Sequence, residues 1–240
     1  MTPGLATQRR SMVVVAVVVV LLLAGAQLLA HLGGPAATWL VAVASLLGMV
    51  VARRAGLTWA ELGLARDRWR AGARYGLAAA GLVVAAVAVV AALPLTRAAF
   101  DDERYQFGFA HALLVALVLV PLRTVVPEEL AFRGVLLAVF RRAYGTRIAV
   151  IVSSLLFGLW HVSSSLHLAQ DNKAVGGPLG SGAAGQALGV VGAVLATTAV
   201  GFVFCWLRLR SDSLLAPIGL HWALNGAGVL AVSAVWSLTR

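Results

Sequence analysis

Seven apolar runs separated by short polar segments organise this chain. Ser11 to Leu32, Ala36 to Ala52, Tyr75 to Leu95, Phe107 to about Val126, Arg147 to about Leu168, Gln186 to Leu207 and Leu214 to about Leu238 carry few charges. Each is close to the ~20 residues an α-helix needs to cross the hydrocarbon of a bilayer. The first run follows Arg9 and Arg10 and exceeds the ~7–15 apolar residues of a signal-peptide core, so it is expected to be retained as a helix. Between the second and third runs the pattern changes. From Gly56 to Arg74, Trp59, Leu62, Leu64 and Trp69 alternate with Glu61, Arg66, Asp67, Arg68 and Arg70. Such a basic, Trp-bearing segment predicts an amphipathic helix lying in the membrane interface. Pro121 and Arg123 interrupt the fourth run, and Pro127 is expected to open a second helical piece from Glu128 to about Tyr144.

The predicted fold is therefore all-α: a polytopic transmembrane helical bundle of about seven spans plus an interfacial amphipathic helix. Residues 1–106 would form N-terminal transmembrane helices with the basic linker, and residues 107–240 a second transmembrane core. Gly-rich His167 to Gly185 and mixed-charge Arg97 to Gln106 read as loops. No internal repeat is evident, which counts against a transporter built from inverted repeats.

Charge orients the bundle. With the N-terminus in the cytoplasm of the plasma (inner) membrane, Arg9, Arg10, Arg53, Arg54, the Arg66–Arg74 cluster, Arg141, Arg142, Arg147, Arg208 and Arg210 all fall inside. Only Arg97, Arg104, Lys173 and Arg240 fall outside, the asymmetry expected of cytoplasmic loops. Composition agrees: 61% of residues are hydrophobic and 12% charged, about half the charge of a soluble domain, with mean hydropathy +0.93. The net charge of +10 sits in short clusters without a basic face or interleaved aromatics, so a nucleic-acid partner is not expected. Cys205 stands alone in an apolar run and reads as a small buried side chain.

Ionisable groups at bilayer depth carry the chemistry, since they are costly there unless paired or functional. Glu128 and Glu129 begin a helical piece, and Arg133 lies at i+4 from Glu129, in reach of an ion pair. Taken alone, this could be a helix start with a salt bridge. His161 lies roughly 20 Å along its helix from Arg147. His221 and Asn225, four apart, share one face of the last span. Each of these taken alone also has a structural explanation. Together they supply a carboxylate able to take a proton from water, imidazoles to orient that water and an amide to donate to an oxyanion. Trp160 and Trp222 are expected as site walls.

In order and spacing, Glu128-Glu129-x-x-x-Arg133, Phe157-x-x-x-His161 and His221-x-x-x-Asn225 resemble the three motifs of the CPBP family. This family comprises CAAX proteases and bacteriocin-processing enzymes, also called Abi or type II CAAX prenyl endopeptidases. The resemblance covers roughly Ala110 to Gly228 and implies an intramembrane endopeptidase with its cavity open to the cytoplasm. By motif position it makes Glu128 the general base, His161 a water-holding partner, His221 and Asn225 oxyanion donors, and Glu129 and Arg133 their support. The residues leave two versions open: a metal-free glutamate mechanism, which is preferred, and a zinc enzyme with Glu128, His161 and His221 as ligands. The implied partners are a peptide or membrane-protein substrate and the lipid bilayer. The alternative is a non-catalytic membrane scaffold or bacteriocin-immunity protein with the same fold.

Overall fold

The computed structural model describes residues 3–100, 102, 105–172, 175, 177, 178, 180 and 182–238. Arg104, Lys173 and Arg240, named above, lie outside the described residues.

Among the described residues the chain is a helical bundle without named strands. Its elements are α1 (Pro3–Leu32), α2 (Leu40–Arg54), α3 (Trp69–Ala92), α4 (Phe109–Tyr144), α5 (Thr146–Trp160), α6 (Ala183–Ser211) and α7 (Leu215–Leu238). Six segments are long and apolar enough to cross a membrane; the seventh, α5, is apolar but has 15 residues. It stops at Trp160, short of the predicted Leu168, because the chain turns polar. His161 N–H bonds the Gly158 carbonyl, and the Ser164 and Ser165 hydroxyls donate to the His161 carbonyl at 3.1 and 2.7 Å.

The predicted break at Pro127 does not occur. α4 runs through both prolines for 36 residues. It does so by widening into π-helical turns at Val115–Leu119, Pro121–Val125 and Leu130–Leu136. A π turn would aim residue 121's N–H at the Ala116 carbonyl, and proline has none to give. The Trp222 indole of α7 donates to that carbonyl instead, at 2.9 Å. Neighbouring helices commonly satisfy backbone freed by proline in this way.

No interfacial helix forms at Gly56–Arg74 either. Residues up to Ala65 make successive turns, and from Arg66 the chain joins the third span. Thr58 and Glu61 close a reciprocal cap: Thr58 N–H donates to the carboxylate at 2.8 Å, and Glu61 N–H to the hydroxyl at 3.2 Å. Gly63 has φ +77°, and a Cβ there would collide with the Arg208 guanidinium. Three arginines clamp this strap. Arg53 donates to the Leu57 carbonyl, Arg208 to the Glu61 carbonyl at 2.8 Å, and Arg142 to the Glu61 carboxylate at 2.6 Å. Leu57 and Leu62 point inward and are fully buried.

Burial alone would raise the Glu61 pKa. The bonds from Arg142 and Thr58, together with the Arg142 charge, outweigh it and hold the carboxyl below its ordinary value. A carboxyl depressed in the folded state stabilises that state above its unfolded pKa, near 4.3, and the contribution is lost as pH falls through the folded pKa. Amide exchange in the strap is therefore expected to quicken as pH is lowered through this range, after correction for the intrinsic exchange rate. Glu61→Gln should remove that pH dependence; an unchanged profile in the variant would show that another group is responsible.

The bundle closes where small residues allow helices to touch. A Cβ on Gly219 of α7 would lie 2.8 Å from the Gly76 backbone of α3. The largest apolar core joins α1 and α2 to α4, with Val19, Ala52, Val135, Leu136, Phe157 and Phe204 nearly or fully buried. α7 adds Ala216 and Leu220 to this core, and the carboxylates of α4 and the imidazole of α7 face each other.

Candidate active site

Glu128 and Glu129 occupy consecutive positions on α4 just after Pro127, and both are buried. Glu129 is the deeper, with no exposed surface. Its Oε1 accepts a bond from Arg133 Nη1 at 3.1 Å and one from His221 Nδ1 at 2.8 Å. Arg133, also fully buried, sits in an aromatic cage with its guanidinium carbon 3.9 Å from the Phe157 ring centre and 4.7 Å from that of Phe204. Such contacts attract a cation to the ring faces and are worth ~2 kcal/mol or more when desolvated. Gly201 leaves space for the cage, since a Cβ there would lie 3.4 Å from Arg133 Nη2.

Glu128 makes different contacts. Its Oε1 accepts the Trp160 indole N–H at 2.9 Å, while its Oε2 has no hydrogen-bond partner. His221 Nε2 lies 3.8 Å from that oxygen, too far for a direct bond. The His221 ring stacks on Phe204, with centroids 4.9 Å apart, and meets the edge of Phe157. Because Nδ1 faces a carboxylate it carries the proton, so in the neutral ring Nε2 presents a lone pair.

His161 follows the last residue of α5. Its Nδ1 lies 2.8 Å from the Phe157 carbonyl, which can only accept, so Nδ1 is the protonated nitrogen and Nε2 is left as a lone pair. Phe157 thus has three jobs: its carbonyl orients His161, one ring face cages Arg133, and its edge abuts both imidazoles.

Glu128, Trp160, His161 and Asn225 line one cavity of about 1000 Å³. Asn225 sits in a π-helical turn of α7, Ala223–Ala227, and is half-buried. Buried His221 is not among the lining residues; it packs behind the carboxylates. Arg123 and Thr124 line the same cavity one to two turns before Glu128. Arg123 Nε donates to the Thr38 hydroxyl at 2.9 Å, and its guanidinium lies over Trp39. Gln27, Trp160 and Ser163 also border an apolar groove of about 450 Å³ between α1 and α5. Among the described residues no three His, Cys, Asp or Glu side chains are close enough to hold a metal ion, so Glu128, His161 and His221 as placed do not fit a zinc ligand set.

The exposed residues lining the cavity are His31, Ala99, His111, Ser164 and Leu224. The first four belong to the C-terminal end of α1, the α3–α4 connection, the start of α4 and the chain after α5, and Leu224 lies in the middle of α7. The arginine clusters lie at the opposite ends of the same helices.

Phe204 was not legible as a site residue: nothing distinguishes it from other apolar residues of α6 until the fold places it under His221 and Arg133. Trp160, expected as a wall, also donates a hydrogen bond to Glu128.

No curated protein and no solved structure gives a significant match to the chain. Residues 109–227 match the family model described as Type II CAAX prenyl endopeptidase Rce1-like, nearly the span, Ala110 to Gly228, that the motifs delimit. All three motif segments fall within the match, and the apolar helices around them make the protein a multi-pass membrane protein. The chain belongs to the Rce1-like type II CAAX prenyl endopeptidase family, whose activity is that of a CAAX protease.

Proposed function

We propose that the protein is an intramembrane endopeptidase working by a metal-free glutamate mechanism. The observation that carries this reading is that Glu128, whose Oε2 is unpartnered like that of Glu129, is the one of the two carboxylates that lines the cavity shared with His161 and Asn225. A buried carboxylate oxygen without a partner is rare in folded proteins and is a group poised to take a proton. Water held between Glu128 and the Nε2 lone pair of His161 attacks the scissile carbonyl carbon, and its proton passes to Glu128. The carbonyl oxygen becomes an oxyanion and receives a hydrogen bond from the Asn225 amide. When the C–N bond breaks, Glu128 returns the proton to the leaving nitrogen, so the carboxylate is regenerated and one water is consumed per bond cut.

The motif resemblance pairs His221 with Asn225 at the oxyanion. Its contacts favour another part: held by Glu129 and stacked on Phe204, it orients and supports Glu128 from behind. Glu129 and Arg133 fix His221 in turn. The substrate is a peptide or membrane-protein segment, and the chain resides in the plasma membrane with its N-terminus cytoplasmic.

Purified protein in proteoliposomes, supplied with membrane-anchored test peptides, should release fragments that are absent when either Glu128 or His161 is replaced by Ala. Equal release by wild type and both variants would overturn the mechanism. Asn225→Ala is expected to lower kcat by about 10²–10³ with little change in KM, the usual cost of losing one oxyanion donor. A variant that raises KM alone would make Asn225 a substrate-binding group instead.

A further inference from the structure

We infer that the arginine-rich end of the bundle is a binding surface for acidic phospholipids, whose phosphate headgroups supply counter-charge that the chain lacks. The inference stands apart from the protease reading and does not depend on which leaflet that end occupies.

Charge is divided unevenly along the bundle axis. Thirteen of the nineteen basic residues lie at the start of α1, the end of α2, the run into α3, the junction of α4 with α5 and the end of α6. Only Glu61, Asp67 and Asp212 among the nine acids accompany them. That end therefore holds the whole formal net charge of +10, and the rest of the sequence balances six basic residues with six acids. Contacts make it one surface. Arg9 of α1 lies over Tyr144 at the end of α4, Arg142 donates to Glu61 of the strap, and Leu214 N–H donates to the Gly63 carbonyl. Packed helices stand ~8–10 Å apart, comparable with a screening length of ~8 Å at physiological salt, so neighbouring clusters repel one another. Such self-repulsion destabilises a compact state unless counter-charge is at hand.

The chain provides little of it. Glu61 is taken by Arg142, and Asp67 by Arg68 at 3.4 Å. Nine of the thirteen arginines are exposed.

Depth decides among anionic partners. Six of the seven helices are long enough to cross a bilayer, which puts arginines at their ends level with the headgroups. Trp59 and Trp69, each about half exposed, belong to the same level, where indole rings collect. Both carry an arginine. The Arg53 guanidinium carbon is 4.5 Å from the Trp59 ring centre, and that of Arg66 is 6.0 Å from the Trp69 ring centre. A cation on the face of an interfacial ring offers a phospholipid an apolar body for its acyl carbons and a charge for its phosphate. The guanidinium fork also matches phosphate geometry, binding it through two parallel hydrogen bonds. A soluble acidic protein would have to compete with lipid already packed at that depth.

The test places the whole chain in phosphatidylcholine nanodiscs containing either brominated phosphatidylglycerol or brominated phosphatidylcholine. Tryptophan quenching should report association about fivefold tighter for the acidic lipid, the effect of one headgroup–arginine contact. Raising ionic strength from ~0.1 to ~1 M shortens the screening length from ~10 to ~3 Å and should weaken that preference. Arg54→Gln/Arg70→Gln/Arg74→Gln/Arg147→Gln neutralises four exposed positions that make no hydrogen bond, ion pair or ring contact among the described residues. In this variant the preference should fall to about twofold or less. Equal quenching by the two lipids in the wild type would overturn the proposal, as would a preference that survives in the variant. Should the variant not fold, the wild-type salt series decides, and a preference indifferent to salt overturns it. Equal quenching combined with retention of polyglutamate would assign the surface to a soluble acidic partner and overturn the proposal likewise.

Discussion

Glu128→Gln is expected to lower kcat by about 10³-fold, within the ~10²–10⁴ that a positioned general base contributes. At 1.36 kcal/mol per tenfold, that is about 4 kcal/mol of transition-state stabilisation. The substitution is chosen because it is nearly isosteric. The glutamine carbonyl can still accept the Trp160 indole N–H that now bonds Oε1. Its NH₂ would then face His221 Nε2, which presents a lone pair across 3.8 Å. Packing and the local hydrogen-bond network are therefore kept, while the ability to accept a proton from water is lost. Thermal unfolding should be close to wild type, and KM for a test peptide little changed, because the cavity walls are intact. A variant with kcat within tenfold of wild type would remove Glu128 from the role of base, and the carboxylate of Glu129 could not replace it. Its Oε1 is committed to Arg133 and His221, and although its Oε2 is unpartnered, the group has no exposed surface and does not line the cavity.

The apolar runs made the bundle legible because hydropathy and length are local properties, and membrane helices satisfy their backbones within one segment. The positions of Glu128, Glu129, Arg133, His161, His221 and Asn225 were legible for a related reason: an ionisable or amide group at bilayer depth stands out against its neighbours. Three features escaped. The strap from Gly56 looked like an interfacial helix because tryptophans and arginines alternate there. Its conformation is instead decided by Arg142 and Arg208, more than 80 residues away, and by glycines at positive φ. The continuity of α4 through Pro121 and Pro127 depends on π turns and on an indole from α7, neither of which a helix-stop rule contains. The entrance to the cavity is a property of which helix ends meet, and the motifs carry no information about it. Charge alone does not place the site along the helices, because the same arginines are compatible with a site near either face.

Arg133→Met should cost stability of about 3–5 kcal/mol, the range for removing one member of a buried ion pair. The methionine can fill the cage of Phe132, Phe157 and Phe204, so the loss is electrostatic more than steric. What remains is the Glu129 carboxylate, fully buried, with His221 as its one neighbour able to balance it. For a chain of this size, a loss of that magnitude moves the unfolding midpoint by on the order of 10 °C, readable in detergent by tryptophan fluorescence. The double variant Glu129→Gln/Arg133→Met separates structure from chemistry. With both charges gone, no uncompensated ion is buried, and most of the lost stability should return. The glutamine carbonyl can still accept the His221 Nδ1 proton, which preserves the ring's orientation. It carries no negative charge to anchor the imidazole, and Glu128 loses the support that runs from the Arg133–Glu129 pair through His221. Proteolysis should therefore stay impaired in a well-folded protein. Full recovery of activity in the double variant would make the Arg133–Glu129 pair a packing device alone. A double variant as unstable as Arg133→Met would place the cost in the lost cation–ring contacts, and the ion pair would then contribute little to holding α4, α6 and α7 together.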